Sequence, residues 1–235
     1  MKNRSILSIG KKEFLSFFLS PVGYIVIGIY LIVSGWFLFS TIFLTKSVSL
    51  RDFFNLMPMI LSFMIPALTM KSFAEEYKTG SYEMLGTQPV TTMDIIIGKL
   101  LATWLFVIVM ILPTLSYPLF LSTLGDLDSG VVLSGYIGAL LLSGSFTAIG
   151  VFTSTLTQNQ IIAFLIGAVI CFFLTIIDGM VILLPNFIAS IIEYISTGFH
   201  FQNISKGILD SRDILYFLSI IFLAVLSTER RLQKK

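Results

Sequence analysis

The sequence contains long stretches without a single Asp, Glu, Lys or Arg: residues 14–45, 53–70, 100–125, 129–177 and 214–228. A helix needs about 20 apolar residues to cross about 30 Å of hydrocarbon, and uncharged runs of this length have no place in a small soluble core. The chain therefore reads as a polytopic membrane protein. The first three stretches hold one span each, at about 22–44, 53–70 and 100–124. Residues 129–177 are long enough for two spans, and the polar run Thr153–Gln160 in their middle is where the chain turns between 131–152 and 161–183. The last span, about 213–228, is short at about 22 Å of helix, so it must borrow flanking residues, snorkel or thin the bilayer. The expected fold is all-α, a single membrane domain over 1–235 with six transmembrane helices.

Composition agrees, and it excludes several functions. The chain is 56% hydrophobic and 12% charged, against roughly one-quarter charged residues in an ordinary globular protein. A dispersed net charge of +2 gives no basic patch for nucleic acid. The lone Cys171 lies in an apolar run, which rules out a disulfide framework and a cysteine-based metal site. His200 is the only histidine and has no second His or Cys nearby in the sequence, so no metal is expected. A P-loop is missing, since Gly98-Lys99 is followed by Leu100 and lacks the earlier glycine. There is no H-E-x-x-H, and Asp178 alone cannot form an aspartyl dyad. The chain is thus expected to be non-catalytic, with no cofactor of its own. Asp178 falls at the predicted outer end of span five, where one turn of boundary shift decides between an intramembrane and an interfacial carboxylate.

Six spans place both termini on one side. With cytoplasmic termini, Lys2, Arg4, Lys11, Lys12, Lys71, Lys78, Lys99, Arg230, Arg231, Lys234 and Lys235 lie inside, and only Lys46, Arg51, Lys206 and Arg212 outside. That distribution satisfies the positive-inside rule. The first apolar run exceeds the 7 to 15 residues of a signal-peptide core and has no A-x-A-like site after it, so it is expected to remain as an anchor. No hydrophilic stretch is long enough for a soluble domain, which leaves the work to helices, short loops and partners.

Two segments on the inner side are patterned. Residues 1–20 carry a helical repeat with Leu7, Phe14 and Phe18 on one face, Ile6 and Phe17 beside them, and Lys12, Glu13 and Ser16 opposite. This predicts an amphipathic helix in the membrane interface, with Pro21 turning the chain into span one; the alternative is a plain basic flank. Between spans two and three, Ser72-Phe73-Ala74-Glu75 matches a capping box, Thr79-Gly80 supplies a stop, and Ser81–Leu85 offers another turn or two. Gln88-Pro89-Val90 then breaks the chain, and Thr91 or Thr92 caps the helix leading into span three. The capped charged segment suits docking of a cytoplasmic protein, while its charges alone equally suit a solvated face. In span four, Gly135, Ala139, Ser143 and Thr147 form a stripe that permits close helix packing, within the subunit or across a dimer.

These features in this order resemble the ABC-2 type permeases, the membrane subunits of one class of ATP-binding-cassette transporter, and within them the gliding-motility-associated permeases. The resemblance is carried by Lys12-Glu13-Phe14, Ser20-Pro21-Val22-Gly23-Tyr24-Ile25, and Pro66–Glu76 with its Glu75-Glu76 pair. It continues through Thr79-Gly80-Ser81-Tyr82-Glu83-Met84-Leu85, Gln88-Pro89-Val90, Ile97–Ala102, Phe199-His200-Phe201, Gly207, Arg212-Asp213 and Tyr216-Phe217. It implies an N-terminal connecting helix involving Lys12, Glu13, Phe14, Phe17 and Phe18. It also implies a coupling helix, with Phe73, Ala74, Glu75, Glu76, Thr79, Gly80, Tyr82, Glu83 and Leu85 at the interface with an ABC ATPase. Short re-entrant helices between spans five and six would cap the pathway outside. The expected function is permease subunit of an exporter in the bacterial inner membrane. ATP and Mg²⁺ would sit on the partner ATPase, a second copy or related permease would complete the pathway, and envelope or motility subunits are possible further partners. Where the family shows a further leucine, this chain has Leu85-Gly86-Thr87. The alternative function is a non-transporting membrane scaffold that recruits a cytoplasmic partner.

Overall fold

The computed structural model describes residues 2–45, 49–81, 90–183 and 185–233, and every regular element among them is helical. Helix α1 (Lys2–Leu19) is followed across Ser20 by α2 (Pro21–Thr45), then α3 (Arg51–Thr69) and the short α4 (Ala74–Thr79). Helix α5 (Thr92–Ile111) continues through a 3₁₀ turn (Leu112–Leu115) into α6 (Ser116–Leu121). The remaining spans are α7 (Ser129–Ser154), α8 (Gln160–Ile176) and α11 (Ser211–Gln233). Between the last two lie a 3₁₀ segment (Ile177–Leu183), α9 (Asn186–Ile195) and α10 (Thr197–Ser205). Six helices, α2, α3, α5 with its continuation, α7, α8 and α11, are long and apolar enough to cross a membrane.

At three places the helices run differently from the apolar windows. The helix of span three starts at Thr92, where the expected Thr91 cap places it, ahead of the apolar window at 100, and carries Asp94 and Lys99 inside its first turns, both buried. Span five leaves α-helical geometry after Ile176, so Asp178 sits in the 3₁₀ segment. Span six runs for 23 residues from Ser211 to Gln233, about 35 Å at 1.5 Å per residue, so it solves its shortness by recruiting both flanks. The polar run after α7 turns as expected, and the Asn159 side chain accepts the Ile161 N–H to cap α8.

The centre of the bundle is α7, the most buried span, packed against α3, α5, α8, α10 and α11. Its small-residue stripe faces inward. Gly135, Ala139, Ser143 and Thr147 are all buried, and a Cβ on Gly135 would meet the Phe54 ring at 2.5 Å; beyond the stripe, one on Gly150 would meet Thr69 Oγ1 at 2.0 Å. The stripe therefore serves close packing within the subunit. In contrast, α2 and α11 are the least buried spans, and α2, α8 and α11 present Trp36, Phe43, Leu165, Phe173 and Phe222 outward.

One end of the bundle gathers both terminal helices. Phe73, Ile95, Ile96, Val151 and Leu232 form a buried cluster there, with Ile9 and Tyr77 packed against it. This end is called the terminal face below; α9 and α10 occupy the opposite face.

A Lys99 junction on the terminal face

Helix α1 does more than lie in an interface. Its aromatic residues pack on the bundle: Phe17 stacks on Phe106 of α5 with ring centroids 4.6 Å apart, and Phe18 meets the same ring edge-on at 5.4 Å. Phe14 completes the group 5.1 Å from Phe18, whereas Leu7 points away, 71% exposed. Gly98 makes the approach possible, because a Cβ there would stand 3.0 Å from the Ile9 side chain and 3.3 Å from the Ile6 carbonyl oxygen. The predicted amphipathic face thus belongs to α5 as much as to lipid.

Lys99 joins three segments at this contact. Its ammonium donates to Glu13 Oε1 of α1 at 2.7 Å, to Glu76 Oε1 of α4 at 2.6 Å and to the Ser72 carbonyl at 2.7 Å. The Lys99 side chain is 2% exposed, while Glu13 and Glu76 are 28% and 18% exposed. An ammonium has three donors, and all three are used. A charge this deep is tolerated only with such partners, which explains how a lysine enters a span.

Helix α4 is held by its root. Phe73 and Ala74 are fully buried and anchor it, while Glu75, Lys78, Thr79 and Gly80 are exposed. Gly80 ends the helix at φ +72, the left-handed geometry in which glycine has no steric penalty. The predicted capping box does not form: the N-cap is Phe73, and no side chain caps the helix. Ser72 instead lies in the preceding turn, its carbonyl taken by Lys99. A capping box does form at α5, where Thr91 Oγ1 accepts the Asp94 N–H at 3.2 Å and Asp94 Oδ2 accepts the Thr91 N–H at 3.3 Å. Tyr82, Glu83 and Leu85 of the expected interface lie outside the described residues.

A cavity of about 570 Å³ opens beside the junction, between α1, the start of α2, the end of α3 and α4. Lys12, Glu13, Phe17, Glu75, Glu76 and Thr79 line it together with Lys71 and Lys99. Six of the fourteen residues singled out from the sequence for α1 and the coupling segment therefore share one space: Lys12, Glu13, Phe17, Glu75, Glu76 and Thr79.

The opposite face holds a different polar group. His200 Nδ1 lies 2.5 Å from Asp213 Oδ1, and Nε2 lies 3.3 Å from the Tyr194 carbonyl oxygen. The His200 ring stacks on Tyr216 at 4.0 Å, and the Tyr216 hydroxyl donates to the Ile195 carbonyl. Asp178 accepts from Gln202 Nε2 at 3.1 Å, so the carboxylate ties the end of span five to α10. Among the described residues no group of three metal-ligating side chains occurs.

The family model for ABC-2 family transporter proteins matches residues 32–227. This chain belongs to that family. Comparison with curated proteins gives no match. As an ABC-2 chain it is a multi-pass membrane protein and a transmembrane subunit of an ABC transporter. The match begins midway along α2 and ends within α11, so it covers five spans nearly whole and part of the first, and leaves all of α1, with Glu13 of the Lys99 junction, outside it.

Proposed function

We propose that the chain is the permease of an ATP-driven exporter, powered by a separate ABC ATPase that docks on the exposed side of α4. The observation that carries this reading is the Lys99 junction. A force applied to α4 reaches α5 and α1 through three short bonds on one buried ammonium, so movement of the docked helix is delivered to a span and to the N-terminal helix together. ATP binding can shift a permease between two states only if its contacts differ between them. Helix α4, rooted by Phe73 and open at Glu75, Lys78 and Thr79, offers such contacts. In this reading the terminal face is cytoplasmic, as the distribution of basic residues favours, and the membrane is the bacterial inner membrane. The exposed apolar faces of α2 and α8 suit lipid and a second permease copy, and a role in gliding motility or envelope assembly fits the resemblance in the sequence.

The direct experiment is mild-detergent purification of the tagged full-length chain from its native membrane, with identification of co-eluting proteins. A P-loop ATPase in near-equal amount, along with a second six-span chain or a dimer of this one, is the expected outcome. Recovery without any ATPase, under conditions that keep ABC complexes intact, overturns the proposal and leaves a membrane scaffold as the better reading.

A further inference from the structure

The cavity beside Lys99 has a composition that neither lipid tails nor a protein helix would require. Its charged lining is balanced, with Lys12, Lys71 and Lys99 against Glu13, Glu75 and Glu76. The balance is also distributed. Lys99 is consumed by one oxygen each of Glu13 and Glu76, while Lys12, Lys71 and Glu75 have no ion-pair partner among the described residues. The rest of the wall is mixed: Phe17, Val22, Ala67 and Leu68 form an apolar strip toward the spans, and Ser and Thr side chains supply hydroxyls beside the charges.

Depth adds a second constraint. The cavity touches Ser20, Val22 and Gly23, where α2 begins, and Ala67 and Leu68, where α3 ends. Spanning helices begin and end at the boundary between hydrocarbon and headgroups, so this cavity lies at headgroup level. Its volume of about 570 Å³ is within the range of small-ligand sites, about 300–1,000 Å³. An anionic headgroup would meet three carboxylates there, and a purely cationic one would meet three ammonium groups.

We propose that this cavity binds the headgroup of a zwitterionic phospholipid bearing a primary ammonium, with its phosphate on Lys12 and Lys71 and its ammonium on Glu75 and the free oxygen of Glu13. The acyl chains leave along the apolar wall toward the bilayer. A primary ammonium donates three hydrogen bonds and a quaternary one none, so the carboxylates favour phosphatidylethanolamine over phosphatidylcholine. Binding at this point braces α1 against α4; Glu75 serves both this site and the proposed docking side of α4, so lipid retention is read on the permease alone, with no ATPase present, and its failure is distinguishable from failure of docking.

The test uses the full-length protein, delipidated in mild detergent and offered equal amounts of phosphatidylethanolamine, phosphatidylcholine and phosphatidylglycerol with matched chains, with occupancy read by native mass spectrometry. One phosphatidylethanolamine per chain is expected, retained about tenfold over each of the others, the ratio that corresponds to about 1.4 kcal/mol, as one charge-assisted hydrogen bond supplies. The double variant Lys12→Ala/Lys71→Ala is expected to lose this retention. Glu75→Gln, a change at an exposed position, is expected to abolish the preference over phosphatidylcholine and keeps the test available if the double variant is unstable. A soluble competitor, glycerophosphoethanolamine, separates the two sources of the headgroup. Persistence of the lipid against an equal concentration of it supports the proposal, and displacement assigns the site to a free aminophosphate and overturns it. Equal retention of all three lipids, or unchanged selectivity in both variants, also overturns it.

Discussion

The two faces of the bundle use charge in opposite ways. On the opposite face, His200 and Asp213 are each 5% exposed, fixed by a stacked Tyr216 ring and by carbonyls of α9. On the terminal face, one flexible lysine reaches two glutamates that keep a quarter or so of their surface open, beside a cavity. A planar imidazole clamped between a ring and a carboxylate has one productive orientation. An ammonium on a four-carbon stem keeps its bonds while its partners shift. The first arrangement suits a part that stays put and the second a part that moves, and substitutions should separate them.

The largest effect on stability is expected from Asp213→Ala. Removing a buried partner leaves the His200 ring without its main acceptor and costs about 3 kcal/mol, read as a lowered unfolding temperature in detergent. Asp213→Asn keeps an acceptor at the same place and should recover part of the loss. If Asp213→Ala unfolds at the wild-type temperature, the far-side group is no lock and the contrast between the faces collapses.

Lys99→Met should come next in stability and first in function. Glu13 and Glu76 are more exposed than Asp213, although Glu76 Oε2 is fully buried, so the stability loss is expected to be smaller than at Asp213, about 1–2 kcal/mol. Coupling should suffer more. In a reconstituted complex, transport per ATP hydrolysed is expected to fall about tenfold or more, the consequence of losing a 1.4 kcal/mol bias between states. Lys99→Arg should restore some of it, because the charge and the reach to both glutamates are retained. A purely structural Lys99 would lower expression and stability but leave the transport-to-hydrolysis ratio unchanged.

These same residues show where the sequence was legible. Charge-free windows yielded six spans in the right order, because desolvating a lone charge in hydrocarbon is costly enough to leave a local gap in the text. The same rule cuts the window of span three at Lys99, although the Thr91 cap marks the start of its helix. Lys99 interrupts the window, yet its charge is compensated by residues 86 and 23 positions away, and no local pattern records such partners. The Ser72 capping box failed for a related reason: burial of Phe73 and the use of the Ser72 carbonyl by Lys99 fix that turn, so tertiary contacts overrode a correct motif. Thr91 caps its helix as expected, and Asp94 completes the box. His200 and Asp213 are 13 residues apart across two helices, and a solitary histidine gave no hint of its partner. Of the segment expected to meet an ATPase, the sequence picked out the exposed Glu75, Thr79 and Gly80 together with the buried Phe73 and Ala74. Helical periodicity does not tell a contact from an anchor over only six residues.

The smallest structural effect is expected from Glu75→Lys, and that is its value. Glu75 is exposed and makes no ion pair among the described residues, so reversing its charge should change stability by no more than about 0.5 kcal/mol. Reversal at Glu76 would break the bond to Lys99 as well and mix docking with internal coupling. If α4 is the docking helix, Glu75→Lys weakens association with the ATPase, seen as loss of co-purification that deepens or eases with salt in the manner of an exposed charge contact. Transport per ATP in the complexes that do form should stay near the wild-type ratio, in contrast to Lys99→Met. Should Glu75→Lys instead leave association intact and impair the ratio, the exposed side of α4 is not the docking surface, and the distinction between contact and relay on the terminal face would have to be drawn elsewhere.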